Sequence, residues 1–124
     1  MGITNLAVNS SRLEEKTSRK YVKTSLDFLV LAILNRNAMY GYKIMAIIHK
    51  EFGVLLSPGS LYPLLHLLEK KELIKSRNEG GKRVYEATSD GKTRLQNAFA
   101  VFKISVNQLE NFLKQNGNDS FNDS

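Results

Sequence analysis

Apolar positions in this chain recur at helical spacing in four stretches and alternate with polar ones in a fifth. Leu26, Leu29, Val30, Ile33 and Leu34 form the first stripe. Ahead of it, Thr24-Ser25-Leu26-Asp27 sets a hydroxyl three residues before a carboxylate, which predicts a helix start. Asn35-Arg36-Asn37-Ala38 ends this helix, and Ile44, Met45, Ile48 and Phe52 define a second from Gly41 to the stop at Gly53. Ser57-Pro58-Gly59-Ser60 predicts the start of a third, because serine caps and proline at the first helical position gives up an amide that has no partner there. Leu61, Leu64, Leu65 and Leu68 are its stripe. Beyond Glu72 the pattern changes: residues 73–77 and 83–88 read as strands joined across Gly80-Gly81. Ser89-Asp90 opens a last helix, expected to reach Lys114, with Leu95, Phe99, Phe102, Val106, Leu109 and Leu113 spaced 4, 3, 4, 3 and 4. That seven-residue repeat is the seam of a helix that pairs with another, and the other helices are too short to match it.

Three helices followed by a hairpin is the order of a winged helix-turn-helix. The expected fold class is mainly α with a small β-hairpin, a winged helix-turn-helix followed by one long C-terminal dimerisation helix. The organisation that follows is a basic arm over residues 1–23, flexible or partly helical, and a winged-helix domain over 24–88. The pairing helix takes residues 89–114 and a disordered tail 115–124.

Charge sharpens this picture. The 124 residues carry 18 Lys+Arg against 12 Asp+Glu, a net +6, and half of that excess lies in the arm. A basic domain of this size suits a polyanionic partner. The third helix starts with small or polar residues, Ser57, Gly59 and Ser60, so a nucleic acid can approach its backbone closely. Tyr62 and His66 lie on or near the face opposite the leucines and can hydrogen-bond a base edge or a phosphate. Lys82 and Arg83 put two cations at the hairpin tip. Each residue alone is also explained by capping, packing or solvation, but their agreement points to dimeric DNA binding.

Gly41-Tyr42-Lys43-Ile44, Gly59-Ser60-Leu61-Tyr62-Pro63-Leu64-Leu65-His66-Leu67-Leu68-Glu69-Lys70, and Lys82-Arg83-Val84-Tyr85-Glu86-Ala87-Thr88 with Gly91 together resemble the PadR family of transcriptional regulators, over roughly residues 24–95. The resemblance implies a homodimeric repressor, usually prokaryotic, whose third helix and wing bind an inverted repeat in double-stranded DNA. The positions it implies for DNA contact are Ser57, Gly59, Ser60, Tyr62, Pro63 and His66 on the helix and Lys82 and Arg83 on the wing. Tyr42 and Lys43 match the start of the second helix, near the phosphate backbone. The chain departs from the pattern at Glu72, where the family often has glycine, so a different exit from the third helix is expected. A single C-terminal helix matches the compact subgroup and leaves room for a small-molecule effector only at the dimer interface.

Other classes find little support. Without cysteine, and with only His49 and His66 as imidazoles, no metal or other cofactor is expected. Gly91-Lys92-Thr93 lacks the glycine a phosphate loop needs, since Glu86 stands there, and no nucleophile elbow surrounds Ser60, so no catalytic residue is assigned. No apolar run spans a membrane and no secretory leader opens the chain, which sets a cytoplasmic expectation without a membrane partner. The alternative of another class is a winged-helix module that binds protein rather than DNA.

Overall fold

The structure, a computed structural model, describes residues 2–117. In chain order the elements are α1 (Gly2–Thr24), α2 (Leu26–Arg36), β1 (Met39–Tyr40), α3 (Gly41–Phe52), α4 (Pro58–Lys70), β2 (Ile74–Glu79), β3 (Lys82–Ala87) and α5 (Ser89–Asn116). Helices α2, α3 and α4 are the three read from the apolar stripes. The fold class is a winged helix-turn-helix with a long C-terminal helix, as expected. Helix α5 takes in the first two residues assigned to a tail, and residues 118–124 lie outside those described.

The stripes converge. Val30 from α2, Ile44 and Ile48 from α3, and Leu61 and Leu65 from α4 are fully buried in one cluster, with Val54 and Leu56 filling it from the α3–α4 loop. Each such side chain removed from water contributes about 1.5–3 kcal/mol. The entry to α4 is capped as expected: Ser57 Oγ accepts from the Ser60 amide at 3.2 Å, with Pro58 at the first helical position.

The start of α2 differs from expectation. Helix α1 runs almost directly into α2, with the Ser25 amide donating to the Tyr21 carbonyl at 3.0 Å. Thr24 Oγ1 donates to the Lys20 carbonyl at 2.8 Å, and Asp27 Oδ1 accepts only from its neighbour Phe28 at 2.8 Å. The hydroxyl therefore serves the end of α1 rather than the start of α2.

The hairpin is joined by a third strand. The antiparallel order is β1-β3-β2, with Tyr40 opposite Val84 and Glu79 opposite Lys82. Gly80 and Gly81 have φ of 60° and 82°, the pair of left-handed residues that a tight hairpin turn requires. The exit from α4 also turns through a left-handed residue. Glu72 has φ 62°, the one described non-glycine residue in that region, so it takes the backbone conformation a glycine would have taken. Its carbonyl accepts from Thr88 Oγ1 at 2.7 Å, and the same Oγ1 accepts from the Gly91 amide at 3.0 Å, which caps α5. A Cβ on Gly91 would stand 2.0 Å from the Leu73 carbonyl oxygen. The first turn of α5 is thus fixed against the segment that leaves α4.

Candidate nucleic-acid interface

Helix α4 has two faces. Leu61, Leu65 and Leu68 point into the core, whereas Ser57, Gly59, Ser60, Tyr62, Pro63 and His66 are all exposed. Pro63 has no amide to give the Gly59 carbonyl one turn back, so that carbonyl lacks its usual helical donor. Tyr62 is more than a surface group: a Cβ on Gly41 would meet its hydroxyl at 2.6 Å, so its phenol end rests against the start of α3. Gly41 is what allows α4 and α3 to close at this end. Tyr42 and Lys43 then emerge exposed from the first turn of α3, with Tyr42 beside the wing.

The two wing cations have different surroundings. Arg83 Nη1 donates to Ser76 Oγ at 2.8 Å, and Ser76 Oγ in turn donates to the Glu69 carboxylate at the end of α4. This chain ties the inner face of the wing to the end of α4. Tyr85 lies on that face, buried, and desolvation raises its pKa, with Tyr62 and Glu69 adding to the rise and Arg83 opposing it. Lys82 lies on the other face, with its Nζ 5.5 Å from the ring centres of both Tyr40 and Tyr42. Those two rings stack at 5.7 Å with an interplanar angle of 12°.

Tyr40, Glu69, Ser76 and Tyr85 were not singled out in the sequence. Their roles depend on the β1–β3 and β2–β3 registers, and only the Met39-Tyr40-Gly41-Tyr42 cluster of aromatics offered a local hint.

The expected seam on α5 divides in the structure. Leu95 is half-buried and packs on the core, and Phe102 meets Phe28 edge-on at 6.2 Å. Phe99, Val106, Leu109 and Leu113 are exposed. Together with Tyr21, Val22, Phe28 and Leu29 they border an open apolar groove of about 620 Å³. Val101 and Phe112 are exposed as well and lie beside the seam, so the apolar arc is wider than a single heptad stripe. Glu110 and Lys114 pair at 2.8 Å, and that hydrogen bond and charge lower the Glu110 pKa. Among the described residues no helix is long and apolar enough to cross a membrane.

A three-helix core, a β-wing and an exposed apolar C-terminal helix define a winged-helix regulator architecture. The model of the transcriptional regulator PadR-like family matches residues 30–97, and the chain belongs to that family. That family is one of transcriptional regulators. A PadR family transcriptional regulator from Eggerthella lenta is 27% identical, with a TM-score of 0.70 over 91% of this chain and 94% of that one. One from Clostridium difficile is 26% identical, with a TM-score of 0.67 over 72% and 98%. Bacillus subtilis PadR in complex with operator DNA is 26% identical, with a TM-score of 0.55 over 60% and 45%. A 37.1 kDa protein of transposon TN4556 in Streptomyces fradiae is 39% identical over 84 residues, 66% of this chain. The chain spans about a quarter of that protein's length.

Proposed function

We propose that the protein is a homodimeric, sequence-specific DNA-binding repressor of an inverted-repeat operator, acting in the cytoplasm. The observation that carries this reading is that the exposed face of α4 meets the start of α3 where Tyr62 lies against Gly41, next to Tyr42, whose ring lies under Lys82 of the wing. On this reading the first turns of α4 enter a major groove, where Ser60, Tyr62 and His66 meet base edges and the Ser57–Gly59 turn meets phosphate. Pro63 shapes that turn. Lys82, Arg83, Lys43 and Tyr42 follow the backbone. The 50–62% exposure of Phe99, Phe102, Leu109 and Leu113 supports pairing of two copies along α5, since apolar side chains in such a row are costly to leave in water. The two copies of α4 then stand about 34–36 Å apart, one duplex turn. A small-molecule effector, where one acts, enters the apolar groove at the α5 interface.

Selection of bound fragments from the source genome tests the proposal. An approximate palindrome is expected, with log affinity falling linearly in log salt by about 0.9 per phosphate neutralised. Recovery of no fragment, or binding to a protein partner with little salt dependence, overturns it in favour of a protein-interaction module.

A further inference from the structure

Four cations project from the wing strands, and their surroundings differ. Lys75 pairs with Glu86 at 3.8 Å, and Arg77 pairs with both Glu79 at 3.2 Å and Glu86 at 3.4 Å. Arg83 spends a donor on Ser76, which leads to Glu69. Among the described residues the Lys82 side chain makes neither a salt bridge nor a hydrogen bond, and Glu79, opposite it in the hairpin, pairs with Arg77. Lys82 is held instead by two aromatic faces, Tyr40 and Tyr42, each 5.5 Å from Nζ. A π face orients an ammonium without taking any of its three N–H donors or cancelling its charge. Lysine on a flexible four-carbon stem otherwise loses much rotamer freedom when it meets a phosphate, so prior orientation favours the bound geometry.

Position in the fold explains how the pair forms. Tyr40 ends β1 opposite Val84, and Lys82 precedes Val84 by two residues, so both point to the same face of the sheet. Val84 is buried yet stands outside the main core cluster, which makes this face a small packing unit of its own. Tyr42 follows Gly41 into α3, and the stacking of the two rings couples the root of the wing to the first turn of that helix.

We infer that Tyr40 is a positioning residue for DNA binding, which with Tyr42 forms an aromatic saddle that presents the Lys82 ammonium, with its N–H donors unused, to the phosphate backbone. The inference rests on the DNA-binding reading above, but the saddle itself is measurable without DNA. In the NMR spectrum of the full chain the ε-methylene protons of Lys82 are expected to be shifted upfield by the rings. Tyr40→Phe should keep that shift, and Tyr40→Leu should lose most of it.

With a random-sequence duplex at low salt as the probe, Tyr40→Leu is expected to weaken binding about three- to tenfold and to lower the salt slope by up to about 0.9. Tyr40→Phe retains the wild-type values, which separates the ring face from the hydroxyl. Adding Lys82→Ala to Tyr40→Leu produces little further loss, because both changes remove the same contact. Should Tyr40→Leu fail to fold, Tyr42→Leu, at an exposed position outside the sheet, is measured in its place with the same expectations. Wild-type affinity and slope in the leucine variant, or losses that simply add, overturn the inference. If the wild type binds no duplex while the upfield shift is present, it is the DNA reading that has failed and the role given to Tyr40 goes with it; absence of the shift refutes the saddle alone.

Discussion

Leu61 and Phe102 are both large apolar side chains on helices, yet the first is fully buried and the second is half exposed. The difference runs through the whole molecule. From α2 to β3 the apolar stripes close on one another within the chain, whereas on α5 from Phe99 onward they face outward. A single copy therefore completes the part that folds and leaves uncovered the face proposed to associate. Cutting into the first region should act on stability at every concentration, while cutting into the second should act on assembly.

Leu61→Ala sets the scale for the closed region. It should cost about 2–5 kcal/mol in urea unfolding, with no dependence on protein concentration, because no neighbour can fill the space it leaves. Phe102→Glu with Leu109→Glu tests the open one. Placing two carboxylates in the proposed interface should raise the dissociation constant by at least about a hundredfold, or about 2.7 kcal/mol, read by sedimentation, with helical content retained. Persistent dimers would reject the seam.

The junction between the regions is probed by Gly91→Ala, whose added methyl meets the Leu73 carbonyl; a loss of about 1–3 kcal/mol is expected, with a lower melting temperature. Glu72→Gly should act in the opposite direction, stabilising by about 1 kcal/mol by relieving a left-handed residue that carries a side chain. Tyr85→Phe has the smallest effect. Burial holds the Tyr85 proton in the folded state above the ordinary tyrosine pKa of about 10, so its contribution is constant below that pH. Above it the unfolded chain gives up the proton first and stability declines. The variant should show a shallower loss of urea midpoint between about pH 9 and about pH 11.

What the chain's letters revealed follows the same division. Stripes such as Leu61-Leu64-Leu65-Leu68 report burial within one helix, and Ser57-Pro58 marks a helix start by local chemistry alone, so both were legible. The seam on α5 was legible as a repeat, but not the turning of Leu95 into the core, which depends on how α5 docks on α2 and β3. Helix α1 was only half legible because it carries few apolar residues, and the signal at Thr24 to Asp27 also fits the end of one helix running into the next. Strand β1 has two residues, too few for any alternation, and forms only by pairing with β3 more than forty positions later. The saddle under Lys82 depends on that pairing, and the approach of Tyr62 to Gly41 depends on how α3 and α4 pack. Neither has a sequence signature.

The bracing of Thr88 and Gly91 against Glu72 and Leu73 has a mechanical consequence. Helix α5 has 28 residues and is about 42 Å long at 1.5 Å per residue, and its first turn has no free joint with the end of α4. On the proposed function it is a lever arm with the DNA-reading head fixed at one end. In a pair of such levers the distance between heads is set by the angle at which the arms cross, and a molecule wedged between the arms would retune that distance without touching either head.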